Sequence, residues 1–385
     1  MPDNKKYITF GSPSIGREEI NAVTKCMKSG WIGTGPLVKK FENNFAYYSK
    51  SNYAIAVGSC TAALHLSLNS ISLNKGDEVI VPAMTFCSTV NSIIHSGYKP
   101  VLADVNFNTM NIDAEEIEKK ISKKTRALVI VHFAGRPCDM DKIIRIVKKY
   151  NLILIEDCAH AIESSHNGKK CGTFGMYGCF SFYVTKNLVT AEGGMILSNN
   201  KEKINPIKQR ALHGMSKDAW KRFSDKGYKH YDIIDAGFKY NMTDIQAAIG
   251  LEQLKKIRKH LKIRDKIWTK YQNFFKNYEI KTPEKIENNT THAKHLYTIL
   301  IDKKKLGITR DEFMMKLHES GIGTGVHYRS IPSHTFYKKK FKWKQSDYKN
   351  SSLIGDQTVS LPLSPNLTNK NIDKILFTIE KVLKN

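Results

Sequence analysis

Lys186 is the side chain in this sequence best placed for nucleophilic chemistry. It follows the aromatic run F-S-F-Y-V-T and precedes the turn E-G-G at 192–194. A lysine in such a pocket can lose its proton and form a Schiff base. Asp157 closes the apolar run L-I-L-I-E-D at 152–157. A carboxylate at the buried end of a strand is costly unless it meets a cation. A protonated pyridine nitrogen is one such partner; a helix cap or a salt bridge is the other reading. Glu156 points to the opposite face by strand alternation and reads as structural. Gly58-Ser59-Cys60-Thr61 opens into a helix, whose free N–H groups attract phosphate. A capped strand–helix turn accounts for the same residues without a ligand. Ser181 offers a hydroxyl to phosphate. Phe86 offers either a ring face or a core side chain. Thr85, His132 and His160 complete the set.

These residues gain meaning from the elements that must carry them. Short apolar runs alternate with amphipathic stretches. The spacing predicts strands over Tyr53–Val57, Asp77–Val81, Pro100–Val105, Arg126–His132 and Leu152–Glu156. Helices are expected between them, over Thr61–Ser72, Ser88–His95, Ala114–Ile121 (capped by Asp113) and Met140–Tyr150. Strands apolar on both faces, alternating with helices, define an α/β fold with a mainly parallel sheet covered on both sides. Phe180–Tyr183 and Gly194–Leu197 read as further strands. A loop follows over 215–239, then a long helix from Thr243 to about Phe275. The rest mixes strands (His295–Ile301) and helices (Arg310–Ser320, Lys370–Leu383), giving a smaller α+β unit. The expected division is 1–250 for the large domain and 251–385 for the small one.

In open α/β sheets, ligands bind beyond the carboxyl ends of the strands. All the singled-out residues fall there. A Schiff-base lysine, an aspartate for a ring nitrogen and a small-residue phosphate cradle are together what pyridoxal phosphate requires.

Composition narrows the class. The 385 residues are 41% hydrophobic and 25% charged, ordinary for a globular protein. No apolar run is long enough to span a bilayer, and the N-terminus lacks a signal-peptide core, so a cytoplasmic protein with no membrane partner is expected. Seven cysteines with no C-x-x-C pair read as free thiols, with no zinc ribbon and no other metal site. The net charge of +25 attracts anions. Lysines are scattered at helix-surface spacing and no nucleic-acid motif accompanies them, so a nucleic-acid partner is not expected.

The chain resembles the DegT/StrS-type sugar aminotransferases, fold-type I enzymes that use pyridoxal phosphate. The likeness rests on G-W-I-G-T-G-P (30–36), C-T-A-A-L-H-L (60–66), G-D-E-V-I-V-P (76–82), I-E-D-C-A-H (155–160), F-S-F-Y-V-T-K-N (180–187), E-G-G-M (192–195), G-F-K-Y-N-M-T-D (237–244) and T-G-V-H-Y-R (324–329). It implies that Lys186 carries the cofactor and that Asp157 meets its ring nitrogen. It sets His160 near the ring oxygen, Phe86 on the ring face, and Cys60, Thr61 and Ser181 at the phosphate. Asn241 would reach the phosphate of a neighbouring subunit, making the working unit a homodimer. Cys60 stands where glycine is frequent, and Tyr183 where histidine is frequent. A branch of 3-dehydratases has histidine where Lys186 stands, so the lysine points to transamination. The motifs most resemble members acting at C4 of nucleotide-linked 4-keto sugars (4-amino-arabinose and viosamine types), with L-glutamate as donor and 2-oxoglutarate as by-product. Trp31, His327, Tyr328 and Arg329, with Lys25 and Lys28, are the expected contacts to the sugar or its diphosphate. Amination at C3 of a 3-keto sugar, or a regulatory protein that lost the chemistry, are the alternatives.

Overall fold

The structure is a computed structural model and describes residues 7–216 and 231–384. Residues 217–230 of the expected loop lie outside it. Two helices come first, α1 (Arg17–Lys28) and α2 (Pro36–Ser49). Strands and helices then alternate: β1 (Tyr53–Val57), α3 (Cys60–Asn69), β2 (Glu78–Pro82), α4 (Cys87–His95), β3 (Lys99–Ala103), α5 (Ala114–Lys120), β4 (Thr125–Val131), α6 (Met140–Lys149) and β5 (Ile153–Asp157). A small hairpin, β6 (Ser165–His166) and β7 (Lys169–Lys170), precedes β8 (Tyr177–Ser181), β9 (Gly194–Ser198) and α7 (Lys201–Arg210).

The main sheet has the order β1-β9-β8-β5-β4-β2-β3. Only β9 runs against the others. The mixed, mainly parallel α/β sheet expected from the sequence is therefore present. Each central strand is apolar on both faces because both are covered. Val79 and Val81 of β2 join one core with α3 and α4, while Ile80 joins another with α5 and α6. The strand windows were right to within a few residues. The helix after β1 starts at Cys60 because Ser59, in extended conformation, accepts the Ala62 N–H and caps it.

The long helix α8 (Asp244–Phe275) starts where expected. Thr243 and Gln246 cap each other's backbone N–H groups. Its first half packs on α1 and α2; its second half sends Ile267, Trp268, Tyr271 and Phe275 into a separate core. That core is built on the β11 (Tyr297–Leu300)–β12 (Thr358–Leu361) pair with α10 (Arg310–Glu319) and α13 (Asn369–Lys384). The remaining short elements are β10 (Thr290–Thr291), α9 (Lys303–Leu306), α11 (Thr335–Phe341) and α12 (Lys349–Gln357). The helix is continuous through residue 250.

Candidate active site

The carboxyl ends of β1, β2, β4, β5 and β8 open onto one cavity of about 370 Å³. Of the residues expected to act there, it brings together Cys60, Thr61, Phe86, Asp157, His160, Ser181, Lys186, His327 and Tyr328. Tyr183, Glu192 and Gly193 close another part of the wall.

The phosphate-side wall is the β1–α3 junction. Gly58 N–H donates to Tyr240 O at 2.7 Å, which fixes the strand end. The backbone of β9 comes hard against this turn. A Cβ on Gly194 would stand 2.6 Å from the Ser59 carbonyl and 2.8 Å from Cys60 N, so only glycine fits. The helix N-terminus and the Ser59, Thr61 and Ser181 hydroxyls form an electropositive, donor-rich corner suited to phosphate. The capped-turn reading also holds, since Ser59 is the cap; the two roles are compatible.

Asp157 is the last residue of β5 and is buried. Its Oδ2 accepts from Thr89 Oγ1 at 2.9 Å and its Oδ1 from Ala159 N–H at 3.0 Å. Among the described residues it has no ion-pair partner. Burial raises its pKa, opposed by these hydrogen bonds and the Lys186 charge. A cation placed against it would relieve that cost. Glu156 does turn to the other face. It accepts from Gly172, Phe174 and Gly175 N–H groups and pairs with His132 at 3.0 Å. His132 Nδ1 accepts from Cys138 N–H, so its proton lies on Nε2 toward Glu156. His132 is thus a structural residue outside the cavity.

Lys186 Nζ has no hydrogen-bond acceptor or salt-bridge partner among the described residues. Burial lowers its pKa to about 8, against the upward pull of Cys60 and Asp157. Its neighbour Asn187 is anchored by Glu163 Oε2 at 2.9 Å, Ala293 O at 3.0 Å and His295 Nδ1 at 3.0 Å. Glu163 in turn pairs with the buried Arg264 of α8. Phe86 is 54% exposed at the N-terminus of α4, which favours a ring face in the cavity over core packing.

The histidines here are held neutral. Burial lowers the His327 pKa to about 3, and pushes His160 and His295 well below the usual range, helped by the Lys186 charge. His160 Nδ1 accepts from Ala134 N–H at 3.2 Å, and its Nε2 lies 3.0 Å from Tyr328 Oη.

Trp31, Asn241 and Arg329 do not line this cavity. Trp31 and Asn241 line another one of about 350 Å³, where Asn241 Nδ2 donates to Thr34 Oγ1 at 2.5 Å. Arg329 is exposed. Lys25 lies in a third hollow between α1, α2 and α8. Thr89 and His295 had no mark in the sequence: each acts through a neighbour, and nothing in its local pattern shows that.

An unpartnered lysine amine, a buried carboxylate without a counter-ion and a donor-rich corner within one cavity fit pyridoxal phosphate. They match its aldehyde, ring nitrogen and phosphate respectively. The fold and site define a pyridoxal phosphate-dependent, fold-type I aminotransferase. The chain belongs to the DegT/DnrJ/EryC1/StrS aminotransferase family, whose pattern it matches over residues 13–380. It is 40% identical to the spore coat polysaccharide biosynthesis protein SpsC of Bacillus subtilis over 379 residues, covering 98% of this chain and 97% of that one. Among solved structures, Spr1654 of Streptococcus pneumoniae, known in PLP and PMP forms, superposes with a TM-score of 0.90 at 30% identity, covering 98% of each chain. Helicobacter pylori PseC, an aminotransferase involved in pseudoaminic acid biosynthesis, gives 0.91 at 27% identity, covering 98% of this chain and 100% of that one. This chain is accordingly a sugar aminotransferase, taking a keto sugar and an amino donor.

Among the described residues no helix is long and apolar enough to cross a membrane. All seven cysteines are free thiols, six of them buried.

Proposed function

We propose that the protein moves an amino group from L-glutamate to C4 of a nucleotide-linked 4-keto-6-deoxyhexose. The observation that carries the transamination is the pairing of an unpartnered Lys186 amine with a counter-ion-free Asp157 in one cavity. The choice of C4 rests on the likeness of T-A-E-G-G-M, G-F-K-Y-N-M-T-D and G-I-G-T-G-V-H-Y-R to C4-acting enzymes. The involvement of PseC and SpsC in saccharide biosynthesis supports the substrate class. The net charge of +25 suits a diphosphate-bearing substrate.

Pyridoxal phosphate supplies an aldehyde for the amine and a ring that withdraws electrons. The chain's residues do the rest. Asp157, steadied by Thr89 and Ala159, keeps the proton on the ring nitrogen. Lys186, with its pKa lowered to about 8, holds the cofactor and then carries a proton to and from the substrate carbon. Ser59, Thr61 and Ser181 bind the phosphate, and Phe86 covers the ring. His327, Tyr328 and the basic surface receive the sugar.

The working unit in this reading is a homodimer. Trp31, Thr34 and Asn241 lie outside their own chain's cavity. Trp31 and Ile32, beside Thr34, and Ile233 and Ile234, ahead of Asn241, are each about half exposed. A second copy would cover such side chains and receive Asn241 at its phosphate site. The free thiols favour a reducing, cytoplasmic setting. Incubation with a panel of 4-keto and 3-keto nucleotide sugars and glutamate tests the substrate, with the aminated carbon read by NMR.

A further inference from the structure

We infer that Glu163 is a positioning residue for Lys186: it holds the Asn187 side chain, and through it the loop that presents the amine. The inference rests on the reading that Lys186 carries the cofactor, and is independent of which sugar is used. Lys186 belongs to no strand or helix. It lies between β8, which ends at Ser181, and β9, which begins at Gly194. The backbone of that loop is fixed at its base, where Phe182 N–H donates to Gly193 O at 2.8 Å and Thr190 N–H to Phe182 O at 2.9 Å. Further out, Lys186 N–H donates to Tyr183 O at 2.8 Å and closes one turn. The Asn187 side chain then ties this turn to the body of the protein.

Asn187 Nδ2 donates to Glu163 Oε2 at 2.9 Å and to Ala293 O at 3.0 Å. Both partners only accept, so the amide faces them with its nitrogen and turns Oδ1 toward His295 Nδ1 at 3.0 Å. Burial holds His295 neutral, and its proton lies on Nδ1. Glu163 is buried in the turn after β5, and neither it nor Arg264 lines the active cavity. Arg264 of α8 takes Oε1, which leaves Oε2 to Asn187. Arg264 Nη2 also donates to Ala293 O at 3.3 Å, and Lys170 Nζ steadies the Glu163 carbonyl at 3.0 Å. Stretches far apart in the chain thus meet around one carboxylate. A buried ion pair is a costly way to fill a core, since apolar side chains of similar volume stabilise as well. What this pair adds is a charged acceptor, which binds an amide N–H more tightly than a neutral oxygen does. That acceptor is aimed at the residue beside the reactive lysine.

Two paired variants separate positioning from stability. Glu163→Leu with Arg264→Met removes both charges together, so neither is stranded, but leaves Asn187 without its acceptor. Glu163→Gln with Arg264→Met removes the same charges and keeps an oxygen for Asn187. Cofactor-free chain is mixed with pyridoxal phosphate at about pH 8, where the Lys186 amine titrates, and the rate of uptake is read by absorbance. Loaded chain is then mixed with ordinary and α-deuterated L-glutamate in single turnovers, giving a limiting rate and a half-saturating concentration per loaded site. The first variant should be about tenfold or more slower in both uptake and limiting rate, with half-saturating glutamate within about twofold and deuterium still slowing the turnover. The second should recover most of both rates. Rates equal in the two variants, rates that follow their urea midpoints rather than the acceptor, or a slowed turnover insensitive to deuterium overturn the inference. Should the first variant not fold, Asn187→Leu leaves the ion pair whole and should be as slow; unchanged rates there overturn it. An unsubstituted enzyme that takes another amino acid in place of glutamate corrects the donor alone, and the comparison is made with that acid. Loaded chain in which borohydride fixes no cofactor at Lys186 contradicts the Lys186 reading itself.

Discussion

Thr89 Oγ1 donates to Asp157 Oδ2 at 2.9 Å, joining the start of α4 to the carboxylate at the end of β5. Thr85 Oγ1 lies 2.8 Å from the Thr89 hydroxyl and completes the chain. Asp157 is thereby aimed before any ligand arrives, and these hydrogen bonds oppose the upward pull of burial on its pKa. The Ala159 N–H fixes the other oxygen. With the Cys60 thiol 3.9 Å from Oδ1, three donors aim one carboxylate.

Thr89→Val should lower kcat about tenfold or more and weaken cofactor binding, since a hydrogen bond to a charged group is lost in a buried site. Thr89→Ser should restore most of both. Turnover and cofactor titration of the two variants check this. A valine variant with unchanged kcat and cofactor affinity would show that the Thr89 hydroxyl is not needed to position Asp157.

Lys186→Ala should abolish transamination and leave nothing for borohydride to fix to the protein. The lowered pKa adds a sharper expectation. The amine is reactive only when deprotonated, so the rate at which cofactor-free chain takes up pyridoxal phosphate should rise as pH passes through about 8. An ordinary lysine would give that rise roughly two pH units higher. Stopped-flow absorbance across pH reads it directly.

Much of this site was legible in the sequence, and the reason is geometric. Asp157, Lys186, Ser181 and Cys60 sit at or just beyond strand ends, and apolar runs show where strands end. The sheet follows from the same runs. The positioning contacts were not legible. Thr89 lies on a helix face and His295 on the approach to β11, and their roles come from packing between elements far apart in the chain. The hydrogen bonds that link Ala134, His160 and Tyr328 likewise need distances. Trp31 and Asn241 carry motif letters of a binding site, yet within one chain both lie away from the cavity; the likeness marked only Asn241 for a neighbouring subunit.

Asn241→Ala should weaken cofactor binding, and chains carrying Asn241→Ala co-expressed with chains carrying Lys186→Ala should recover part of the activity. In a mixed dimer one cavity has both its own Lys186 and its partner's Asn241. Activity assays on the co-purified heterodimer test this. A fully active monomer by sedimentation would remove the basis for it.

Acid should destabilise the cofactor-free fold from about pH 6.5 downward. His160, His292, His295 and His327 have pKa values lowered by burial, His292 and His327 to about 3. Between those values and the ordinary histidine range near 6.5, the unfolded chain binds more protons than the folded one. Stability therefore falls as pH drops through that window, and is full above it. Urea midpoints at a series of pH values measure the slope. A flat profile between pH 6.5 and 4.5 would contradict the buried neutral cluster (roughly the upper half of the window).

The most direct test of the whole account is the position of the new amine. Holoenzyme is incubated with glutamate and a nucleotide-linked 4-keto-6-deoxyhexose, and the product is assigned by NMR. The account predicts a 4-amino sugar formed with one equivalent of 2-oxoglutarate, in a reaction that Lys186→Ala does not perform. Amination at C3, or no turnover of any 4-keto nucleotide sugar alongside good turnover of a free keto acid, would contradict it.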